Sequence, residues 1–328
     1  MKYSSKSAEN LKKKGEMIMS ANIETMFYAG VKPWHSLGIK VDEALSSQQA
    51  IKMAGLDWTV DAQPIQVVGG QVIDGMKANV RSSDNKVLGV VSDRYKIVQN
   101  ADAFAFTDIL LGEGVKYETA GSLSSGKRVW LLAKMETSKV CGDDVEPYLV
   151  FTNSHDGSGA VKVAVTPIRV VCQNTLTLAL STAKRTWSTK HCGDIQGKMD
   201  DARNTLGFAA SYMENLKEEA DKLTQVVVLA PQFADFLMKM FPTNSKMSER
   251  RIANVENQRK AVAELYNHKD DIQKFHGTAY GVMNAVADWV SHCIPARITP
   301  NFRENNFMNI VDGGKTNIMD MACAYFNV

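Results

Sequence analysis

The sequence predicts an α+β fold: an antiparallel sheet with a β-β-β-α unit in the middle, followed by a largely helical C-terminal part. Three observations predict it. Between residues 58 and 171, short apolar runs with period-two alternation are separated by Gly, Asn and Ser turns, the pattern of paired strands. From Met199 the spacing changes to three and four, with Ala202, Leu206, Ala209, Met213, Leu216, Ala220 and Leu223 on one helical stripe. Finally, 328 residues with 45% hydrophobic and 23% charged side chains can bury a core without disulfides or metal staples.

Three regions follow: a flexible basic tail over 1–18 with Lys12, Lys13 and Lys14 in a row, a sheet domain over 19–192, and a helical region over 193–328 packed on the sheet or extending from it. PWHSLG (33–38) reads as a packed corner, and a helix is expected from Val41 to Met53, stopped by Gly55 in a left-handed C-cap. Residues 58–98 read as short strands with turns at Gly69-Gly70 and Asp84-Asn85, and Asn100 as the N-cap of the helix ADAFAFTDILL. Val115–Leu123 and Lys127–Met135 form a hairpin around Ser124-Ser125-Gly126. Because Val129, Leu131 and Ala133 alternate with Trp130 and Leu132, the second strand is apolar on both faces and belongs inside the sheet.

Thr137–Glu146 reads as a polar loop, followed by strands over Tyr148–Asn153 and Ala160–Val171 around the turn SHDGSG. A bulge at Thr166-Pro167 would put Val161, Val163, Val165, Ile168 and Val170 on one buried face, and Lys162, Thr166 and Arg169 on the other. Gln173-Asn174 would then cap the helix NTLTLALSTAK. Further helices are expected around 231–240, 248–275 and 278–293, with a short one at the C-terminus.

Composition excludes several classes. No apolar run is long enough to cross a bilayer, and the Lys-rich start lacks a secretory apolar segment, so a cytoplasmic protein of a bacterial host is expected. The five cysteines are scattered without a CxxC pair and the six histidines lie outside any HExxH pattern, so neither a metal site nor a disulfide framework is expected. No phosphate loop or GxGxxG is present, so no cofactor is expected. A hydrolase built on His155 or His191 with Asp156 lacks a base and its orienting partner, and no catalytic residue is assigned.

Binding remains. Net charge is only +2, so electrostatics must come from local clustering. Between Asp156 and Asp194 there is no acid, where the chain's average composition would place about four. That interval holds Lys162, Arg169, Lys184, Arg185 and Lys190 with Trp187, and Tyr148 lies just upstream. Basic residues that grip phosphates beside aromatic faces that stack bases are what single-stranded nucleic acid requires. A solvated sheet face beside a core tryptophan accounts for the same composition.

The strings PWHSLG (33–38), AGLDW (54–58), LGVVSDRYKIVQN (88–100), ETAGSLSSGKRVW (118–130), PYLVFTNSHDGSGAVKVAVTPIRVVCQNTL (147–176) and GTAYGVMNAVADWVSH (277–292) resemble the phage/plasmid-like family. This is a family of unknown function found in phages, plasmids and prophages; Ser36 departs from its usual Gly. The resemblance implies a mobile-element origin and no settled activity. The expected β-β-β-α unit is also similar in topology to phage single-strand-annealing proteins. That likeness implies single-stranded DNA as partner, strand annealing in recombination and a homo-oligomer. The alternative is a mobile-element protein that binds and inhibits a host defence protein.

Overall fold

The computed structural model describes residues 23–29, 38–112, 116–169, 174–175, 186–195, 197–199, 208–292 and 316–327. Strands β1 (Ile23–Ala29) and β2 (Ile39–Val41) precede helix α1 (Ser47–Met53), and β3 (Val60–Gln66), β4 (Val72–Arg81) and β5 (Val87–Ser92) precede α2 (Asn100–Leu111). Then come β6 (Lys116–Leu123), β7 (Arg128–Lys134), β8 (Ser138–Val140), β9 (Asp143–Ser154), β10 (Val161–Arg169), β11 (Asn174–Thr175) and β12 (Thr186–Thr189). The C-terminal part holds α3 (Phe208–Gln225), α4 (Ala230–Met240), α5 (Glu249–His268), α6 (Asp270–Gln273), α7 (Ala279–His292) and α8 (Thr316–Phe326).

The main sheet runs β11-β10-β9-β7-β6-β1-β2, with β12 also on β10 and β8 also on β9, while β3-β4-β5 form a second sheet. Pairing is antiparallel except between β1 and β2. Strand alternation divides the main sheet into two faces. On the inner face Val129, Leu131, Leu149, Phe151, Val161, Val163 and Val165 share one continuous core with Tyr212 and Leu216 of α3 and Met283 and Val286 of α7. On the outer face Trp130 packs with Met26 and Leu123, and Tyr148 with Val150. The double apolar character of β7 is therefore used, and β7 lies between β6 and β9 as expected.

Helix α7 is the axle of the helical part, buried from Ala279 to Ser291 apart from a half-exposed Trp289. Its one buried acid, Asp288, is paired with Lys269 just after α5. The helices are fastened to the sheet by Lys274, whose ammonium reaches the buried Asp143 at the start of β9, and by Cys141 Sγ, 3.4 Å from Asp221 Oδ1 of α3.

Local expectations change at several points, while the tail 1–18 and residues 33–37 of PWHSLG lie outside the described residues. The helix expected from Val41 begins only at Ser47, because Val41 pairs with Ala29 in β2. No bulge interrupts β10, which pairs with β9 without a shift from Lys162↔Thr152 to Arg169↔Val145. Pro167 faces Pro147 in that register, and two residues without an N–H sit at no cost at a pair that exchanges no ladder bond. Residues 137–146 are largely strand, because Lys274 compensates Asp143. Asn100 is the first helical residue rather than the cap; its side chain is buried and donates to Leu56 O at 3.0 Å, while the preceding Gln99 N–H is taken by Asp102 Oδ2 at 3.2 Å. Asn174 and Thr175 return along β10 as a strand, opposite Arg169 and Ile168, where the helix was expected to begin; residues 176–185 of that helix lie outside the described residues.

Candidate nucleic-acid interface

One cross-strand row organises the outer face: Trp130 on β7 stands opposite Thr152 on β9, Thr152 opposite Lys162 on β10, and Lys162 opposite Ser188 on β12. In the next row Leu123 on β6 faces Arg128, and Arg128 faces Ser154. Alternation sends all these side chains to one face. Together with the turn residues Ser158, Gly159 and Ala160 they line a cavity of about 260 Å³. Arg128 donates from Nη2 to Ser158 Oγ at 3.2 Å, and no carboxylate is paired with it among the described residues.

The turn that walls this cavity, Ser154–Ala160, is held rigidly. Ser154 Oγ accepts from Gly159 N at 2.9 Å and donates to Gly159 O at 3.0 Å. Asp156 Oδ1 accepts from the Ser158 amide at 2.9 Å and its hydroxyl at 2.6 Å, an Asx turn. Below the turn, the second sheet grips it. A Cβ on Gly89 of β5 would lie 2.4 Å from Asp156 Cα, so only glycine permits this approach. Tyr95 donates its hydroxyl to Ser154 O, Asn79 Nδ2 donates to His155 O at 2.7 Å, and Asn153 Nδ2 donates to Val98 O at 3.0 Å.

His155 is fully buried in this knot, edge-on to Trp58 at 5.4 Å, and His191 stacks on Tyr95 at 4.4 Å. The Asn100 amide nitrogen is committed to a carbonyl, so its Oδ1 accepts from His155 Nε2 at 3.1 Å; His191 Nδ1 likewise donates to Lys96 O at 2.9 Å. The other ring nitrogens, His155 Nδ1 and His191 Nε2, are buried without a hydrogen-bond partner. Neither of these nitrogens has an acceptor for a second proton. Burial, reinforced by the nearby His191, pushes His155 down to about 3, and burial lowers His191 as well. Both rings are neutral at pH 7.

The opposite end of the outer face is acidic. Glu118 and Glu146 flank the Tyr148 hydroxyl at 2.7 and 3.0 Å, and Lys134 Nζ lies 2.5 Å from Glu146 and 3.5 Å from Glu118. Burial, then the two carboxylates, raise the Tyr148 phenol. Arg128 and Lys162 thus stand beside the turn, whose own carboxylate, Asp156, is engaged by Ser158, while Glu118 and Glu146 surround Lys134 at the other end.

Of the residues expected to bind, Lys162 lines the cavity. Lys190 is exposed directly after β12, and extending the register Val161↔Thr189 puts it opposite Ala160. Trp187 faces the other way: it pairs with Val163, packs on the core and lies 6.4 Å from Phe106. Tyr148 is 7% exposed, with its hydroxyl held by the two glutamates. Unbroken alternation places position 169 in phase with Val163 and Val165 instead of Lys162. Lys184 and Arg185, and the side chain of Arg169, lie outside the described residues. Arg128 was missed because it precedes the acid-free window; the signal was its parity with Trp130 in a strand paired next to β9. Asp156 of the hydrolase reading is spent on its turn and His155 is enclosed, and among the described residues no group of three or more His, Cys, Asp or Glu is placed to hold a metal.

A family model described as "Domain of unknown function (DUF932)" matches residues 87–309, more than half of the chain. The chain belongs to the DUF932 family. The match spans β5 to the region beyond α7, so the cavity and its turn lie within the DUF932 domain, whereas Trp58 and Asn79 precede it. Neither the curated proteins nor the solved structures contain a match to this DUF932 chain. Among the described residues no helix is long and apolar enough to cross a membrane.

Proposed function

We propose that this DUF932 protein binds single-stranded nucleic acid at the Arg128–Lys162 corner of its main sheet and serves DNA metabolism of a phage or plasmid, with strand annealing as the reaction it would assist. One observation carries the reading: two cations from strands on either side of β9 face one cavity that is also lined by Thr152 and Ser188. Two strand spacings and a two-residue offset put the Arg128 and Lys162 Cα atoms about 12 Å apart, a gap that two long side chains can close around a phosphate. Trp130 lines the cavity but is only 2% exposed, so the charged and hydroxyl side chains, rather than a stacking ring, carry the reading.

The test is fluorescence anisotropy of a labelled single-stranded oligonucleotide over a salt series. Each lost phosphate contact should flatten the logarithmic salt dependence by about 0.7, so Arg128→Ala with Lys162→Ala should flatten it by about 1.4. Absence of binding at low salt would overturn the proposal.

A second reading, that the protein binds a host protein, is favoured by the β3–β4 hairpin. Its tip exposes Val67, Val68, Val72 and Ile73, with no charged residue between Ala62 and Ile73, and exposed apolar clusters of this kind mark protein contacts. A stoichiometric host protein retained from nuclease-treated lysate, and lost with Val68→Asp and Ile73→Asp, would favour it over nucleic acid.

A further inference from the structure

We propose that the cavity is built for a phosphomonoester, the terminal phosphate of a strand, in preference to a phosphodiester within one; this rests on the nucleic-acid reading above. Charge is the first argument. A monoester carries nearly two negative charges at neutral pH and three terminal acceptor oxygens, against one charge and two such oxygens for an internal diester. Arg128 and Lys162 both face the cavity, and Thr152 and Ser188 add hydroxyl donors in the same cross-strand row as Lys162. The turn's own carboxylate, Asp156, is engaged by the Ser158 amide and hydroxyl, and the remaining donor set matches the monoester.

The second argument is that the cavity is closed along the strand direction. On one side stands the Ser154–Ala160 turn, locked by the paired Ser154–Gly159 hydrogen bonds and backed by β5 at Gly89. On the other, beyond Trp130 and Leu132, the outer face carries Glu118 and Glu146 around a single Lys134. A polyanion running through along the strands would have to force the turn open or pass two carboxylates. A chain end that stops in the cavity meets neither obstacle. About 260 Å³ accommodates a phosphate and its sugar, and little more.

The full chain would be titrated against one labelled oligonucleotide in three forms: 5′-phosphorylated, 3′-phosphorylated and with hydroxyl ends. At pH 7.5 one phosphorylated form should bind at least five-fold tighter than the hydroxyl form. The preference should shrink at pH 6.0, where about half of the monoester dianion has taken up a proton to become the monoanion, and vanish in Lys162→Ala or, if that variant folds poorly, Lys162→Gln. Equal, salt-dependent binding of all three forms would overturn this proposal and leave the nucleic-acid reading intact. Thermal stabilisation by deoxyadenosine monophosphate but not deoxyadenosine, with no oligonucleotide bound, would support the phosphomonoester assignment and remove the strand. No response to either probe would overturn both.

Discussion

Lowering the pH from 7.5 to 5.0 should unfasten the second sheet from the main one, because His155 is buried as a neutral ring between them. In the unfolded chain an ordinary histidine protonates near 6.5; in the folded protein His155 resists protonation down to about 3. The unfolded state therefore binds more protons throughout that interval. Stability from this group is complete above about pH 7 and is lost progressively as the pH falls from 6.5 toward 3. At pH 5.0 the loss is about 2 kcal/mol for one such ring, and His191, also lowered by burial, acts in the same direction. Against a total of about 5–15 kcal/mol this is readily measured. Asp84, held at about 2 by Arg81, adds its own loss only as the pH falls below the ordinary carboxylate range, outside this window. Urea denaturation followed by tryptophan fluorescence at pH 7.5, 6.5, 5.8 and 5.0 gives the dependence. His155→Gln should be less stable at pH 7.5 but flatter with pH by up to about 2 kcal/mol. If the variant kept the wild-type slope, the neutral-knot account would be wrong.

Three further outcomes follow from the packing. Gly89→Ala places a methyl against the Asp156 backbone and should cost about 1–3 kcal/mol, read as a lowered melting temperature with weakened oligonucleotide binding. Lys269→Met strands the buried Asp288 in α7 and should cost about 3 kcal/mol, with Asp288→Asn restoring much of it in the double variant. Trp187→Ala removes a side chain packed on the core; it should lower the melting temperature while changing oligonucleotide affinity less than two-fold, and a binding loss without a stability loss would contradict its assigned orientation.

The sheet was legible because its strands are written in period-two patterns with turn residues at their ends; the hairpin of β6 and β7 and the helical C-terminal part appear where periodicity placed them. Local patterns failed where a distant residue decided the outcome. Asp143 reads as loop until Lys274, far along the chain, neutralises it. Asn100 reads as a cap, yet its amide is drawn inward by Leu56 O and His155. The bulge expected at Thr166-Pro167 is absent, since β10 pairs with β9 without a shift through Pro167↔Pro147. The site was half legible. A one-dimensional search for an acid-free interval finds Lys162 and Lys190, but it also gathers Trp187 from the opposite face and omits Arg128, since a sheet assembles its rows across strands. The strings AGLDW, LGVVSDRYKIVQN and TNSHDGSGA could be recognised, but that they converge on one buried knot through Trp58, Tyr95, Asn100 and His155 follows only from the fold.

The most direct test of the central claim is the salt dependence of single-stranded oligonucleotide binding by the wild-type chain and by Arg128→Ala with Lys162→Ala, each shown to be folded by its urea transition. The account predicts binding that weakens steeply with salt in the wild type and a slope about 1.4 shallower in the variant. Identical slopes and affinities in the two proteins would contradict it.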